Sequence, residues 1–303
     1  MKSAAVHRVE GLSLALLASI FWGLSGVCVQ FLFQRRGVSV EWLVATRLLV
    51  AGGLLLVISF LRGKDLFRIW KHKKDRWGLL VFGIFGMLSV QYTYFAAIKY
   101  SNAATATILQ YLGPVIIFLW LALRKREWPG ALEWVSLALA VGGIFLLVTH
   151  GDPGSLVISR GALIWGLLAA VALAVYTLQP AALMTRYDTP VILGWGFLTG
   201  GIVLAMVAPP WKVAGTWDVY TYLNTGYIIF FGTIASFYAF MVAVRLVGPK
   251  PASLMATSEP LAATGVGILW LGIPFGGMDW LACGCIITSM VLITLFPGGS
   301  MRE

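Results

Sequence analysis

Two ionisable side chains, Arg47 and Glu259, fall deep inside apolar stretches of the sequence. A charge in such a setting is costly, so each is a functional candidate by default. Desolvation disfavours a charged carboxyl, so Glu259 suits a site that loads and releases a proton. The other reading of Glu259 is structural, a carboxylate bonding a backbone group freed by Pro260 or pairing with Arg47. Arg47 reads as structural, because a guanidinium can bond loose carbonyls and snorkel outward. Around these two lies a polar set, Gln91, Tyr94, Gln110, Tyr111, Tyr176, Gln179, Ser236 and Tyr238, spread over four apolar stretches. Buried Gln and Tyr need partners, which either a wet substrate cavity or helix–helix hydrogen bonds can supply. Trp22 and Ser25, one helical turn apart, add an aromatic wall or plain packing. Glu41, Glu133 and Asp279 sit at the ends of stretches and are expected to be solvated.

Other chemistries lack their residues. His7, His72 and His150 all lie in the tail or in loops, so no metal site is expected in the apolar interior. Cys28, Cys283 and Cys285 lie inside apolar stretches and read as small filler rather than as a disulfide or zinc framework. A catalytic cluster would need Ser–His or paired acids. One deep glutamate and no deep histidine disfavour an intramembrane enzyme. A phosphate-binding loop of the Walker type is absent, so ATP drive within the chain is not expected, and no cofactor is implied.

The elements that would position these residues are membrane spans. The 303 residues are 59% hydrophobic and 11% charged, with a mean hydropathy of +0.88. Soluble domains carry about 25% charged residues. The net charge of +10 comes from loops between apolar runs, which is how topology is set and makes nucleic-acid binding a poor reading. A spanning helix needs about 20 apolar residues. Ten segments qualify: Gly11–Phe33, Ser39–Leu61, Gly78–Ile98, Ala103–Leu123, Leu132–Val148, Gly161–Leu183, Val191–Ala208, Tyr222–Val244, Ala252–Leu271 and Trp280–Phe296. The first is too long for a cleaved signal peptide. Pro180 is expected to kink the sixth and to free a carbonyl near Tyr176. The basic loop from Arg62 to Arg76 interleaves Leu66, Phe67, Ile69 and Trp70; it suits an interfacial helix on anionic lipid or a solvated loop.

The third and fourth segments form a tight hairpin turning over Lys99 to Asn102. Thr107, Gln110, Tyr111 and Pro114 then share one helix face. The design recurs at the eighth and ninth segments. Setting Pro114 on Pro260, an offset of 146 residues, places Asn102 on Gly248, Ala106 on Ala252 and Thr107 on Ser253. Each half then has five spans, so the halves enter the membrane in opposite directions, and a substrate site is expected between them near the bilayer midplane. The expected architecture is an all-α membrane protein of ten transmembrane helices as two inverted five-helix repeats, residues 1–150 and 151–303, joined by a linker from His150 to Arg160. Of the 22 Lys and Arg residues, sixteen fall on the side of the N-terminus and five on the other, with Arg47 inside a span. Both termini are therefore expected to be cytoplasmic.

Several stretches together resemble the EamA-type transporters of the drug/metabolite transporter superfamily. These are Phe21-Trp22-Gly23, Thr46-Arg47-Leu48, Phe95-Ala96-Ala97 leading to Leu112-Gly113-Pro114, Arg126-Glu127 with Gly142-Gly143, and Ser258-Glu259-Pro260. The resemblance covers essentially the whole chain. One departure is Leu271-Gly272-Ile273-Pro274, where family members often carry a Gly-Glu pair. The resemblance implies a plasma (inner) membrane permease, a secondary transporter exporting small molecules such as amino acids, other metabolites or drugs. Proton coupling would fall to Glu259. A lipid-handling protein or flippase is the alternative. Sequence leaves the substrate and the oligomeric state open.

Overall fold

The computed structural model describes residues 4–125, 130–150, 152, 158–247, 252, 255–256 and 258–295. Among them every regular element is helical, as expected where lipid cannot bond a free backbone group. The helices are α1 (Ala4–Arg35), α2 (Val40–Leu61), α3 (Arg68–Lys71), α4 (Lys73–Tyr100), α5 (Ala103–Gln110), α6 (Gly113–Lys125), α7 (Ala131–Thr149), α8 (Arg160–Leu178), α9 (Ala181–Met184), α10 (Thr189–Val207), α11 (Val219–Val247), α12 (Glu259–Leu271) and α13 (Gly277–Leu295). Six helical stretches are long and apolar enough to cross a membrane, and shorter apolar helices lie at Ala103–Ile117, Trp134–Leu147 and Glu259–Leu271. Short polar side chains start the helices after their turns. Ser39, Asn102, Ser159 and Asp218 each accept from a backbone N–H three residues on.

Two expectations about continuity need correcting. The fourth segment is not one helix: α5 ends at Gln110, Tyr111 and Leu112 form a turn, and α6 begins at Gly113. The ninth turns at Ser258, so Glu259 is the first residue of α12 rather than a mid-helix residue. The cause is Pro114 and Pro260, each lacking the N–H that would bond the carbonyl four residues back. Both breaks have the same backbone bonds 146 residues apart. Leu112 N donates to Leu109 O and Ile116 N to Leu112 O; Ser258 N donates to Met255 O and Ala262 N to Ser258 O. Gly248 and Ser253, offered as repeat partners of Asn102 and Thr107, lie outside the described residues, as do Arg126, Glu127 and positions 151 and 153–157 of the linker. The sixth segment breaks at Pro180, where a kink was expected.

α4 and α11 each contain a π-helical stretch, Phe82–Leu88 and Phe230–Ala235. In each case a hydroxyl donates to the carbonyl five residues back, Ser89 to Ile84 O at 3.0 Å and Thr233 to Ile228 O at 2.8 Å.

Helices from the two halves of the chain pack on one another. α1 packs on α11 and α12, and α8 on α4, α5 and α6. α2 lies against α10, with Gly52 at Gly194 and Leu198, and Gly201 at Leu49. Rising numbers on one helix meet falling numbers on the other, so the two run antiparallel. α7 and α13 do the same. A Cβ on Gly143 would lie 3.0 Å from Ala282 O, while Ser289 Oγ donates to Ser136 O at 2.5 Å. With the offset of 146 these are one contact made twice, as a two-fold relation requires. Asp279 at the start of α13 reaches His150 at the end of α7, 3.0 Å away, and accepts from Gly276 N at 2.8 Å. Its carboxylate is therefore partnered rather than freely solvated, contrary to expectation, because the antiparallel crossing brings those ends together.

Candidate functional site

The centre of the molecule is a buried polar cluster assembled by α1, α2, α4, α5, α11 and α12. Arg47, 4% exposed, does not snorkel. Its Nε donates to Thr233 Oγ1 (2.5 Å), Nη1 to Gln91 Oε1 (2.8 Å) and Nη2 to Gly232 O (3.0 Å). Its guanidinium also lies 5.0 Å from the centre of the Phe95 ring, where cation–π attraction adds to the bonds. The Gly232 carbonyl belongs to the π-helical stretch of α11, where the helical ladder is locally displaced. Ser236, fully buried, donates to Thr233 O at 3.3 Å.

Tyr94 and Thr107 join α4 to α5 at 2.8 Å. Thr107 donates its own hydroxyl hydrogen to Ala103 O, so Tyr94 is the donor in the pair. Tyr111, in the turn after α5, donates to Ala256 O. That is the carbonyl four residues before Pro260, the one the proline leaves without its usual donor. The same hydroxyl lies 3.3 Å from Glu259 Oε2. The group freed by Pro260 is thus bonded by a tyrosine from the other half, not by Glu259. Arg47 likewise directs its guanidinium to Thr233, Gln91 and Gly232 and makes no direct ion pair with Glu259. Gly23 is required where α1 crosses the break, because a Cβ there would sit 2.9 Å from Glu259 O. Trp22, half-buried, meets Phe237 and Phe240 edge-on or tilted, with ring centres 5.3 Å away in both cases.

Gln91, Tyr94, Tyr111, Ser236, Arg47 and Glu259 therefore share this centre, and Trp22 borders it. Tyr176, Gln179 and Tyr238 make their contacts elsewhere. Tyr176 stacks on Phe82 with ring centres 6.0 Å apart. Gln179 Nε2 donates to Gly78 O at 2.8 Å, tying α8 to the start of α4. Tyr238 is 48% exposed; the Arg62 guanidinium lies 5.7 Å from its ring centre. Tyr238 lines a pocket of about 300 Å³ with Arg62, Tyr187, Asp188, Thr189, Pro190 and Val242. Gln110 is half-buried at the last residue of α5. Sequence reasoning missed Gly232 and Thr233. Their one signal is a Gly-Thr pair in an otherwise apolar run, which is indistinguishable from ordinary helix packing. Among the described residues, no group of three His, Cys, Asp or Glu side chains is placed to hold a metal ion.

The family model described as the EamA-like transporter family matches residues 9–149 and again residues 160–295. The chain belongs to the EamA-like transporter family. Its long apolar helices make it a multi-pass membrane protein, and its relatives carry transporter names. This EamA-like chain is 39% identical over 290 residues to a Salmonella typhimurium protein named "Uncharacterized inner membrane transporter YicL", covering 94% of this chain and 95% of that one. It is 25% identical to a Bacillus subtilis protein named "Uncharacterized transporter YwfM", over 93% of each chain. It is also 25% identical over 250 residues to the "Threonine/homoserine exporter RhtA" of Salmonella typhimurium, covering 81% of this chain and 79% of that one. A crystal structure of a chain with 20% identity superposes with a TM-score of 0.64 over 97% of this EamA-like chain and 98% of the other, a likeness of fold.

Proposed function

We propose that this EamA-like transporter moves a small polar metabolite across the inner membrane by alternating access between two inverted five-helix halves, residues 1–150 and 151–303. One observation carries the reading. Tyr111 from the first half donates to Ala256 O and lies 3.3 Å from the Glu259 carboxyl of the second, so the polar centre is made by both halves and must be remade when they rock. The antiparallel packing of α2 on α10 and of α7 on α13 supports the inverted relation. The bias of Lys and Arg supports cytoplasmic termini. The exporter among the relatives, named for threonine and homoserine, favours amino acids as the first substrate class and export as the direction.

Substrate would meet Gln91, Tyr94, Tyr111 and Ser236, with Trp22 as a flanking wall and Arg47 as the fixed cation holding the centre together. Glu259 would carry the coupling proton, because it is half-buried at a helix break beside a hydroxyl of the opposite half. The test is uptake into proteoliposomes from a panel of labelled amino acids and cationic dyes, with and without an imposed pH gradient. Saturable uptake of one class, accelerated by the gradient, is expected. Scrambling of labelled phospholipid with no solute uptake would replace this reading with the lipid-handling one. Cysteines at Arg68 and Lys212 test the orientation: an impermeant thiol reagent applied to intact cells should label the second site and spare the first.

A further inference from the structure

Two ion pairs outside the polar centre join the halves, one at each end of α2. At the Leu61 end, Arg186 Nη1 lies 2.7 Å from Asp75 Oδ1, and Tyr187 donates to Asp75 Oδ2 at 2.7 Å. Asp75 is 3% exposed. Around it the segment before α4 is fastened to α10 and the turn preceding it. Lys64 pairs with Asp188 at 3.0 Å, Trp195 Nε1 donates to Leu66 O at 2.8 Å, and Trp70 packs edge-on against Trp195. A pocket of about 460 Å³, lined by Arg68, His72, Asp75, Thr185, Arg186 and Tyr187, opens on this pair.

At the Val40 end, Arg36 Nη2 lies 2.9 Å from Asp218 Oδ2. Here too backbone and aromatic groups reinforce the tie. Thr216 N donates to Arg36 O at 2.8 Å, Trp42 Nε1 to Pro210 O at 2.6 Å, and Trp42 meets Trp217 edge-on at 4.8 Å. α2, at whose ends the two ties lie, has 22 residues and at 1.5 Å per residue is about 33 Å long, a hydrocarbon thickness.

The two pairs have the same construction. Asp75 is in the first turn of α4, the third span of the first half, and Asp218 caps α11, the third span of the second half. Arg36 lies between the first two spans of its half, and Arg186 between the first two spans of the other. Each arginine therefore crosses to the aspartate of the opposite half, on opposite faces. We propose that Arg186–Asp75 and Arg36–Asp218 are the inner and outer latches of the transport cycle, each broken in turn when access opens on its side. This rests on the alternating-access reading and names the residues that close each face. With both pairs formed, the described conformation is tied at both ends.

A side-specific accessibility experiment tests the latches. Ser236→Cys, in a chain whose Cys28, Cys283 and Cys285 are replaced by alanine, reports on the centre. An impermeant thiol reagent is applied to right-side-out and to inside-out vesicles. Asp75→Asn and Arg186→Gln should raise labelling from the inner face alone by about five- to tenfold, the factor expected for loss of one such tie. Arg36→Gln and Asp218→Asn should do the same from the outer face. Exchanging the inner charges, Arg186→Asp with Asp75→Arg, should return labelling towards the parent value. Arg186 is 47% exposed and Arg36 24% exposed, so the arginine variants keep the test available if a buried aspartate variant fails to insert. Equal rises from both faces, or no rise in any variant, would overturn the latches. Transport is read separately in the chain that keeps Ser236 and its three cysteines. Flat labelling where that chain transports solute sinks the latches alone. Sided labelling where that chain transports nothing supports the latches and sinks the transport reading.

Discussion

The turn before Gly113 and the turn before Glu259 have the same backbone and different chemistry. Each has the same pair of backbone bonds, and each is followed within two residues by proline. At the first, Gly113 is buried and a Cβ there would lie 2.7 Å from Leu173 Cδ2, so apolar packing closes the break. At the second, the equivalent position carries a carboxyl that Tyr111 reaches from the first half. The other deep charge is distributed in the opposite sense: Arg47 belongs to the first half, and its counterpart 146 residues on, Leu193, is an apolar core residue 2% exposed. Duplication thus supplies the scaffold twice, and departures from it supply the polar centre once. The matching backbone bonds recur at an offset of 146 residues, while the two deep charges, Arg47 and Glu259, do not.

The harshest way to break this comparison is to make the first turn resemble the second. Gly113→Glu would place a carboxylate against Leu173 with no partner from the other half. Uncompensated buried charge costs about 3–5 kcal/mol, so little monodisperse protein is expected on size exclusion in detergent. Recovery at the parental level would mean that the first turn is not closed by packing. Next in size is Glu259→Gln, which keeps shape and hydrogen bonding but cannot titrate. Folding and substrate binding should persist while acceleration by a pH gradient disappears. A variant that still concentrates substrate when the gradient is imposed would remove Glu259 from coupling, and one that fails to insert would return it to a structural role.

Tyr111→Phe sharpens the comparison by removing the hydroxyl that serves the second turn alone. Leaving Ala256 O without its donor costs about 1–3 kcal/mol, read as a thermal midpoint lowered by several degrees. Because its hydroxyl lies 3.3 Å from Glu259 Oε2, Tyr111→Phe should also weaken acceleration by a pH gradient, whereas Tyr94→Phe, which removes a bond made within the first half between α4 and α5, should leave it at the parental level. Identical pH responses in the two variants would argue against a special role for the cross-half contact.

The smallest effect concerns the outer latch. The backbone N–H of Thr221, helped by its hydroxyl and by Arg36, holds the Asp218 carboxyl below its ordinary range. A lowered value means that the tie is intact above the ordinary aspartate pKa of about 3.9 and is lost as pH falls through the lowered one. Labelling of Ser236→Cys from the outer face, divided by the rate of a free thiol with the same reagent at each pH, should therefore be flat between about pH 5 and 8. A rise on acidification within that window would show that another group controls the outer face.

Local chemistry made much of this protein legible in the chain alone. Apolar run length marks the six helices that are long enough to cross a membrane, because lipid leaves the backbone no other partner. Asn102 and Ser39 cap the helices that follow them, and Pro114 and Pro260 mark where a helical bond must be missing. The spacing of those prolines exposes the duplicated design. The burial of Arg47 and Glu259 also follows from their neighbours in sequence. What the chain could not reveal is which groups those charges meet. Arg47 finds Thr233 at a separation of 186 residues, Tyr111 finds Glu259 at 148, and His150 finds Asp279 at 129. Hydropathy and capping depend on residues within a turn or two, whereas those pairings depend on how antiparallel helices of the two halves register against one another. Close packing at Gly23, Gly52 and Gly143 sets that register, and with it whether a given polar group faces a partner, a pocket or the lipid.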